Sequence, residues 1–306
     1  MTRIVSLLPA GTEIVAALGL MENLVAVSHE CDFPAAIQQL PRVTHCPIHG
    51  AGLTSAEVDS WVRRSLRNNG TIYHIDEPLL RGLEPDVILT QKLCDVCAVG
   101  YGTVARLAAT FPGPPEVVNL EPSSLADIFA DIRRVGDACG VSERAAAVVS
   151  SLFMRVHRVR ERLANIGIRP RCFLMEWVDP PFCSGHWSPE LVEIAGGYDP
   201  LGQKHQTSKQ ISWREIVTAA PEVIVLALCG YNIERARRDY ELVRSFPDFR
   251  SLPAARNNAV YLVDANAYFA RPGPRIVDSL EMLAGILHPE VFPEFADHNL
   301  VMRVPV

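Results

Sequence analysis

Residues 142–167 constrain the fold more than any other stretch, because they are typical of one long amphipathic helix near the middle of the chain. Their apolar side chains recur at the three- and four-residue spacing of a single helical face. These side chains are Ala145, Val148, Val149, Leu152, Val156, Val159, Leu163 and Ile166. Ser142 is typical of a helix N-cap, and Gly167 with Pro170 is typical of a helix end. We interpret this central helix as a rigid connector between two lobes, whose packing covers its apolar face.

The composition favours two domains and disfavours two classes of partner. With 306 residues, of which 48% are hydrophobic, the chain can form two ordinary cores. A formal charge of -6 argues against nucleic acid and against an anionic membrane as partners. The first nine residues contain one basic residue and a short apolar run, unlike a signal peptide, and no apolar stretch approaches the roughly 20 residues that span a bilayer. We therefore expect a cytoplasmic protein without membrane insertion.

On both sides of the central helix, β-rich and helical segments alternate, which predicts parallel sheets with helices on their faces. The predicted strands are Ile4–Leu8, Leu24–Ser28, Ile72–Ile75, Val87–Thr90, Val117–Leu120, Arg171–Met175, Val223–Leu228 and Ala259–Val263. The predicted helices are Glu13–Leu18, Ser55–Asn69, Leu79–Leu83, Val104–Phe111, Ser124–Cys139, Pro189–Ala195, Trp213–Ala219, Ile233–Val243 and Pro274–Leu287. We predict an α/β fold with an N-terminal lobe over residues 1–140, a connecting helix over 141–168, a C-terminal lobe over 169–290 and an irregular tail over 291–306.

The loops after the predicted strands are the candidate binding segments, because open parallel sheets bind ligands beyond the carboxyl ends of their strands. These loops are Pro9–Thr12, His29–Asp32, Gln91–Gly102, Glu176–Trp187, Cys229–Asn232 and Asp264–Arg271. If the central helix holds the two lobes face to face, the loops line a ligand cleft between them. From the first lobe, His29, Glu30 and Gln91 are the predicted ligand-binding residues.

Cys94 and Cys97 form a C-x-x-C pair, which can chelate one soft metal ion or form a redox disulfide. Two cysteines are half of a zinc site, and Cys31 and Cys46 lie in neighbouring segments that can complete it, with His29, His45 or His49 as further ligands. The predicted metal ligands are therefore Cys31, Cys94, Cys97 and Cys46, holding zinc or an iron–sulfur cluster. The alternative is that Cys94 and Cys97 are small apolar side chains that close a loop.

Aromatic residues concentrate in the loops of the second lobe. Trp177, His186 and Trp187 lie in one long segment, and Tyr231, Tyr268 and Phe269 lie in the two other loops. Flat rings on these loops suit a large planar ligand, with His186 as a ligand to its metal. The alternatives are that the tryptophans pack in the core and that His186 bonds to loop backbone.

An ordered set of segments resembles the substrate-binding proteins of cobalamin and iron-chelate ABC importers over about residues 3–288. The segments are Val5–Glu13, Pro85–Ile88, the central helix, Glu193–Gly197, Ser212–Trp213, Pro221–Val225 and Arg271–Arg275. The resemblance implies two α/β lobes joined by a rigid helix, a ligand between them, and importer subunits as partners. It also implies ligand contacts at Pro9, Ala10, Trp187 and Tyr268. Among such proteins, the chain is similar to cytosolic relatives described as cobalamin-binding.

Two functional hypotheses follow. The first is a binding protein without catalytic residues that holds a small-molecule ligand, either cobalamin, a related corrinoid or another metal chelate. The alternative is a metalloprotein or enzyme with a cysteine-rich zinc or iron–sulfur site. A third reading is a structural partner protein.

Overall fold

The computed structural model describes residues 2–92, 100–296 and 300–306, and its contacts divide the chain into two compact units. The first unit comprises Met1–Leu53, Glu57–Pro122 and Ala126–Ser151. The second comprises Thr54–Ala56, Ser123–Leu125 and Leu152–Val306. Both units are mixed α/β with parallel strands, as predicted. No helix within the described ranges is long and apolar enough to cross a bilayer.

The first unit is built on a four-stranded parallel sheet. The strands of this unit are β1 (Ile4–Ser6), β2 (Leu24–Val27), β3 (Thr44–His45), β4 (His74–Ile75), β5 (Val87–Thr90) and β6 (Glu116–Asn119). Its helices are α1 (Pro9–Ala17), α2 (Ser55–Asn69), α3 (Glu77–Gly82), α4 (Tyr101–Ala108) and α5 (Leu125–Ala138). The sheet order is β2-β1-β5-β6, with all neighbours parallel. All four residues of β5 are buried, as expected for a central parallel strand that is covered on both faces.

Two predictions for the first unit are wrong. Pro9–Thr12 is the first turn of α1 rather than a loop, because Pro9 occupies the first helical position, where its missing N–H is not needed. The predicted strand Ile72–Ile75 is only the two residues of β4, and it pairs with β3 in an antiparallel pair outside the parallel sheet. Strand pairing depends on contacts distant in sequence, which alternation of short segments does not reveal.

The central helix, α6 (Ser142–Leu163), is a single element, as predicted, but it ends four residues before the predicted end at Gly167. Ile166, predicted on its apolar face, lies beyond the helix and is exposed. Residues up to Ser151 belong to the first unit, and residues from Leu152 onward belong to the second. Within the second unit, Arg155 Nε donates to Glu281 Oε1 at 3.0 Å, and Arg155 also pairs with Asp278. These contacts attach the later part of α6 to a helix near the C-terminus.

The second unit is built on a five-stranded sheet. The strands of this unit are β7 (Cys172–Trp177), β8 (Phe182–Cys183), β9 (Gly185–His186), β10 (Gln203–Lys204), β11 (Val223–Leu226), β12 (Val260–Val263) and β13 (Val301–Arg303). Of these, β9 and β10 form a separate parallel pair outside the five-stranded sheet. The helices of this unit are α7 (Ser188–Ile194), α8 (Trp213–Ala219), α9 (Ile233–Ser245), α10 (Pro253–Arg256), α11 (Ile276–Leu287) and α12 (Pro293–Ala296). The order is β13-β12-β11-β7-β8; the three central strands are parallel, and the two edge strands are antiparallel to their neighbours.

Two segments of the second unit are more ordered than the sequence indicates. The predicted irregular tail contains β13, which pairs with β12, and Val304 beyond it is buried in the core of the second unit. The predicted loop Glu176–Trp187 contains the end of β7 and the short strands β8 and β9. Strands of two or three residues are too short to show an alternating pattern, so the sequence does not reveal them.

Candidate functional site

In the first unit, the carboxyl end of β2 leads into a tight turn that carries His29 and Glu30. The amide of Glu30 donates to Ser28 Oγ at 3.2 Å, and the amide of Cys31 donates to Ser28 O at 3.2 Å. Arg42 donates to the carbonyl oxygens of Ser28 and Cys31, at 3.1 and 2.8 Å. These bonds fix the turn, so His29 and Glu30 project from a well-held backbone.

Three polar side chains meet at this turn. Glu30 Oε1 lies 3.2 Å from His29 Nε2 and 3.2 Å from His49 Nδ1. The rings of His29 and His49 are 5.1 Å apart, edge to face, and Tyr73 lies 5.4 Å from His29 on another side. Burial acts to raise the pKa of Glu30, but the two imidazoles beside it outweigh this effect and hold that pKa below its usual value. The carboxylate therefore stays ionised.

Two of the three other predicted ligand-binding residues of this unit are buried. Ala10 and Gln91 are buried, and the carbonyl of Gln91 accepts the amide of Tyr101 at 3.0 Å. Pro9 is partly exposed at the start of α1. The side chains of Ala10 and Gln91 therefore serve packing in this structure, and a ligand role for them stays a prediction.

The cysteine-rich metal site receives no support from the described residues. Cys31 is buried, with its Sγ 3.1 Å from Thr12 Oγ1 and 3.4 Å from Ser28 Oγ. Burial raises the pKa of Cys46, which disfavours the thiolate that a metal requires. Cys94 and Cys97 lie outside the described residues. Within the described ranges, His29, Glu30 and His49 form a group of three possible metal ligands. This group contains no cysteine.

In the second unit, hydrogen bonds join the loops at the carboxyl ends of β7, β11 and β12. The amide of Cys229 donates to Glu176 O at 3.0 Å. The carbonyl oxygen of Tyr231 accepts the amides of Ala265 and Asn266, both at 3.1 Å. The three segments, each predicted as a binding loop, thus form one connected rim.

Trp177 and Tyr231 are brought together on this rim. Their rings lie 5.1 Å apart at 47°, and both side chains are partly exposed. The Trp177 indole N–H donates to Asp179 O at 3.2 Å, and the guanidinium of Arg235 lies 4.7 Å from the Tyr231 ring centroid. This pair presents aromatic surface, held in place on both sides, that a planar ligand can contact.

Trp187 and Phe269 serve packing instead. Trp187 is only 5% exposed, and its indole N–H donates to Phe269 O at 3.1 Å. Phe269 is buried at the end of a π-helical turn, Ala265–Phe269. The structure therefore favours the alternative interpretation, in which Trp187 packs in the core and does not form the wall of a ligand pocket.

His186 and Tyr268 remain partly accessible. His186 stacks on Trp187 with ring centroids 5.5 Å apart, and burial lowers the pKa of its imidazole, which favours the neutral form. Its amide donates to Gln206 O at 2.6 Å. Tyr268 lies under the guanidinium of Arg275, 5.0 Å from ring centroid to Cζ. A neutral imidazole is the form that can coordinate a metal.

Two carboxylates that the sequence analysis did not single out, one partly buried and one buried, hold this rim. Glu176 accepts the amide of Gly185 at 3.1 Å and a hydrogen bond from Ser208, and burial raises its pKa to about 7 against these bonds. Asp199 accepts from Ser184 Oγ at 2.7 Å and from the backbone amides of Leu174, Leu201 and Gly202, and burial raises its pKa to about 6. Burial of an acidic residue depends on tertiary packing, so the sequence carried no signal for either role.

Comparison with known proteins identifies the family to which this chain belongs. The model of the family described as periplasmic binding protein matches residues 4–267. The chain belongs to the periplasmic binding protein family. This family member is 24% identical over 293 residues to a vitamin B12-binding protein of Vibrio cholerae serotype O1, a match that covers 93% of this chain and 88% of the relative.

Solved structures of similar proteins share the fold. A periplasmic heme binding protein from Pseudomonas aeruginosa matches with a TM-score of 0.71 at 20% identity, covering 94% of this chain and 93% of its own. The periplasmic vitamin B12 binding protein of Vibrio cholerae matches with a TM-score of 0.68 at 23% identity, covering 93% of this chain and 96% of its own. The predicted resemblance to substrate-binding proteins of the cobalamin and iron-chelate type is confirmed.

Proposed function

We propose that this periplasmic binding protein family member binds a corrinoid, or a metal chelate of similar size, without changing it chemically. The observation that carries the proposal is the match to a vitamin B12-binding protein along 93% of the chain. The likeness to heme binding proteins supports the broader class of large planar metal chelates. On the same basis, the proposed partner is an ABC importer. The cytoplasmic location predicted from the sequence stays a prediction.

The geometry of the second unit supports this ligand class. The pair Trp177 and Tyr231, whose rings are in contact at a tilt of 47°, offers partly exposed aromatic surface at the carboxyl ends of parallel strands, the edge at which such sheets bind ligands. His186, with its pKa lowered by burial, adds a neutral imidazole on the same rim. These groups suit the flat, largely apolar face and the metal centre of a corrinoid.

Calorimetric titration of the purified protein with hydroxocobalamin, and separately with hemin, tests the proposal. We expect one of the two to bind with a stoichiometry of one. Because a ligand that binds only the folded state stabilises it, ligand at about 100 times its Kd adds about 2.7 kcal/mol to the free energy of unfolding and raises Tm by several degrees. Absence of both heat and thermal stabilisation with either chelate would refute the proposal.

Replacing the exposed tryptophan tests where the chelate binds. We expect Trp177→Ala to weaken binding by up to about tenfold, because a stacked aromatic contact contributes about 0.5–1.5 kcal/mol. The matched control is Phe153→Ala, which removes an aromatic ring that is 54% exposed on α6, and it should bind as the wild type does. Equal affinity for the Trp177 variant and the control would place the ligand elsewhere.

A further inference from the structure

The turn after β2 brings together three side chains of the first unit that can each bind a metal ion. One ligand atom from each of His29, Glu30 and His49 lies within 4.8 Å of the other two. His29 and Glu30 follow β2, whereas His49 lies in the segment after β3. Residues from two separate segments thus converge at one point in the first unit.

The ring of His29 is held so that one nitrogen faces this point. Thr44 Oγ1 lies 2.8 Å from His29 Nδ1 and also accepts the backbone amide of His29 at 3.1 Å. With Nδ1 engaged, Nε2 is the nitrogen left to act. It is buried and makes no hydrogen bond of normal geometry to any residue that the structure describes, and such an atom is costly unless something binds it. Metal-binding histidines are held in the same way, through the nitrogen that does not coordinate.

The distances match a metal site. Glu30 Oε1 lies 3.2 Å from each of the two histidine nitrogens. In a tetrahedral site with metal–ligand bonds of about 2.0–2.1 Å, neighbouring ligand atoms lie about 3.3 Å apart. The third separation, between the two nitrogens, is within 4.8 Å, and the side chain of His49 is 53% exposed and can rotate to shorten it.

We propose that His29 Nε2, Glu30 Oε1 and His49 Nδ1 bind one divalent transition-metal ion of the zinc type. Two imidazoles and one carboxylate favour zinc, cobalt or nickel over calcium or magnesium, which prefer oxygen ligands alone. Three protein ligands leave a fourth position open to water or to a donor atom of another molecule. The three ligands all belong to the first unit, and the proposal does not depend on corrinoid binding.

Titration of metal-free protein with cobalt(II) tests the proposal, because cobalt occupies zinc sites and reports their geometry in its visible spectrum. We expect one equivalent to bind, with the absorption of a four- or five-coordinate ion and without the thiolate-to-cobalt charge-transfer band that cysteine ligands produce. Zinc added afterwards should displace it. Failure to bind, or a spectrum dominated by thiolate charge transfer, overturns the proposal.

Variants locate the ion. His49→Ala should weaken cobalt binding by at least tenfold, and since His49 is half exposed, the variant should keep the circular dichroism and Tm of the metal-free wild type. Glu30→Gln should have a similar effect on binding. The control is His157→Ala on α6, where His157 Nε2 lies 3.1 Å from Glu161 Oε1 and no third ligand completes a cluster among the described residues. Unchanged affinity in His49→Ala, or an equal loss in the control, contradicts the assignment.

Discussion

At the scale of single residues, two carboxylates and the buried indole of Trp187 fix the loops of the second unit. Glu176 accepts the backbone amide of Gly185, and Asp199 accepts the amides of Leu201 and Gly202, while burial raises their pKa values to about 7 and about 6. The sequence located the aromatic residues in the loops of the second unit but left open whether each tryptophan contacts a ligand or packs in the core, as Trp187 does. Burial depends on which segments fold over a residue, and a one-dimensional pattern does not contain that information.

The pKa of Glu176 predicts a pH dependence of stability. The folded protein binds this proton more tightly than the unfolded chain, in which the pKa is near 4.5. The contribution of this group to stability is therefore full below about pH 4.5 and is lost as the pH rises to about 7. We expect the free energy of unfolding to fall over this range, and Glu176→Gln to reduce the slope by up to about 1 kcal/mol per pH unit.

Urea unfolding at a series of pH values measures this slope. The amide of glutamine keeps an oxygen that accepts from Gly185, so the variant should fold. Glu161→Gln is the control, because Glu161 is 65% exposed on α6, and its slope should match the wild type. A Glu176 variant with the slope of the wild type would show that folding does not raise the pKa of this carboxyl.

At the scale of elements, helices and strands are predicted well where the sequence pattern that specifies them lies within the element itself. The bounds of α2 and α8 are as predicted, and α8 begins with a capping box in which Ser212 and Glu215 bond reciprocally. By contrast, β4 lies outside the parallel sheet, since its partner β3 is distant in sequence and was not predicted. Caps and helical period are local properties, whereas strand pairing is not.

The short parallel pair β9–β10 requires a glycine. A Cβ on Gly185 would lie 2.3 Å from the amide nitrogen of Ser208 and 2.7 Å from the carbonyl oxygen of Gln206. Because both are backbone atoms, Gly185→Ala must separate the segments, and we expect a loss of about 2–3 kcal/mol in unfolding free energy. Gly167→Ala is the control, since a Cβ there meets nothing within 4 Å. Chemical denaturation of both variants checks this, and equal stability would contradict the close approach.

At the scale of the whole molecule, the family and fold class were predictable because they rest on patterns spread over the entire chain. Alternating β and α segments indicated two parallel sheets, and the ordered segments from Val5 to Arg275 indicated the family. The candidate metal cluster was only partly predictable. His29 and His49 were named as further ligands to cysteines, but their meeting at Glu30 depends on how two loops fold together.

The end of the chain is expected to stabilise the second unit alone. Val304 is buried and its amide donates to Val260 O at 3.0 Å, while Tyr240 Oη donates to Pro305 O at 2.9 Å. Deleting residues 300–306 removes these contacts and the pairing of β13, and we expect a loss of about 3 kcal/mol or more. Hydrogen exchange measures it: amides of β12 should exchange faster, whereas amides of β5 should not change. Uniform acceleration in both sheets would contradict this expectation.

The contrast between the two rim tryptophans has a spectroscopic consequence. The indole of Trp187 is enclosed and bonded to a carbonyl oxygen, whereas that of Trp177 is partly open to solvent. Trp187 should therefore fluoresce at short wavelength and resist acrylamide quenching, while Trp177 emits further to the red and is quenched readily. Comparing Stern–Volmer plots with and without bound chelate would show whether the open indole becomes shielded, giving an optical reporter that is already part of the chain.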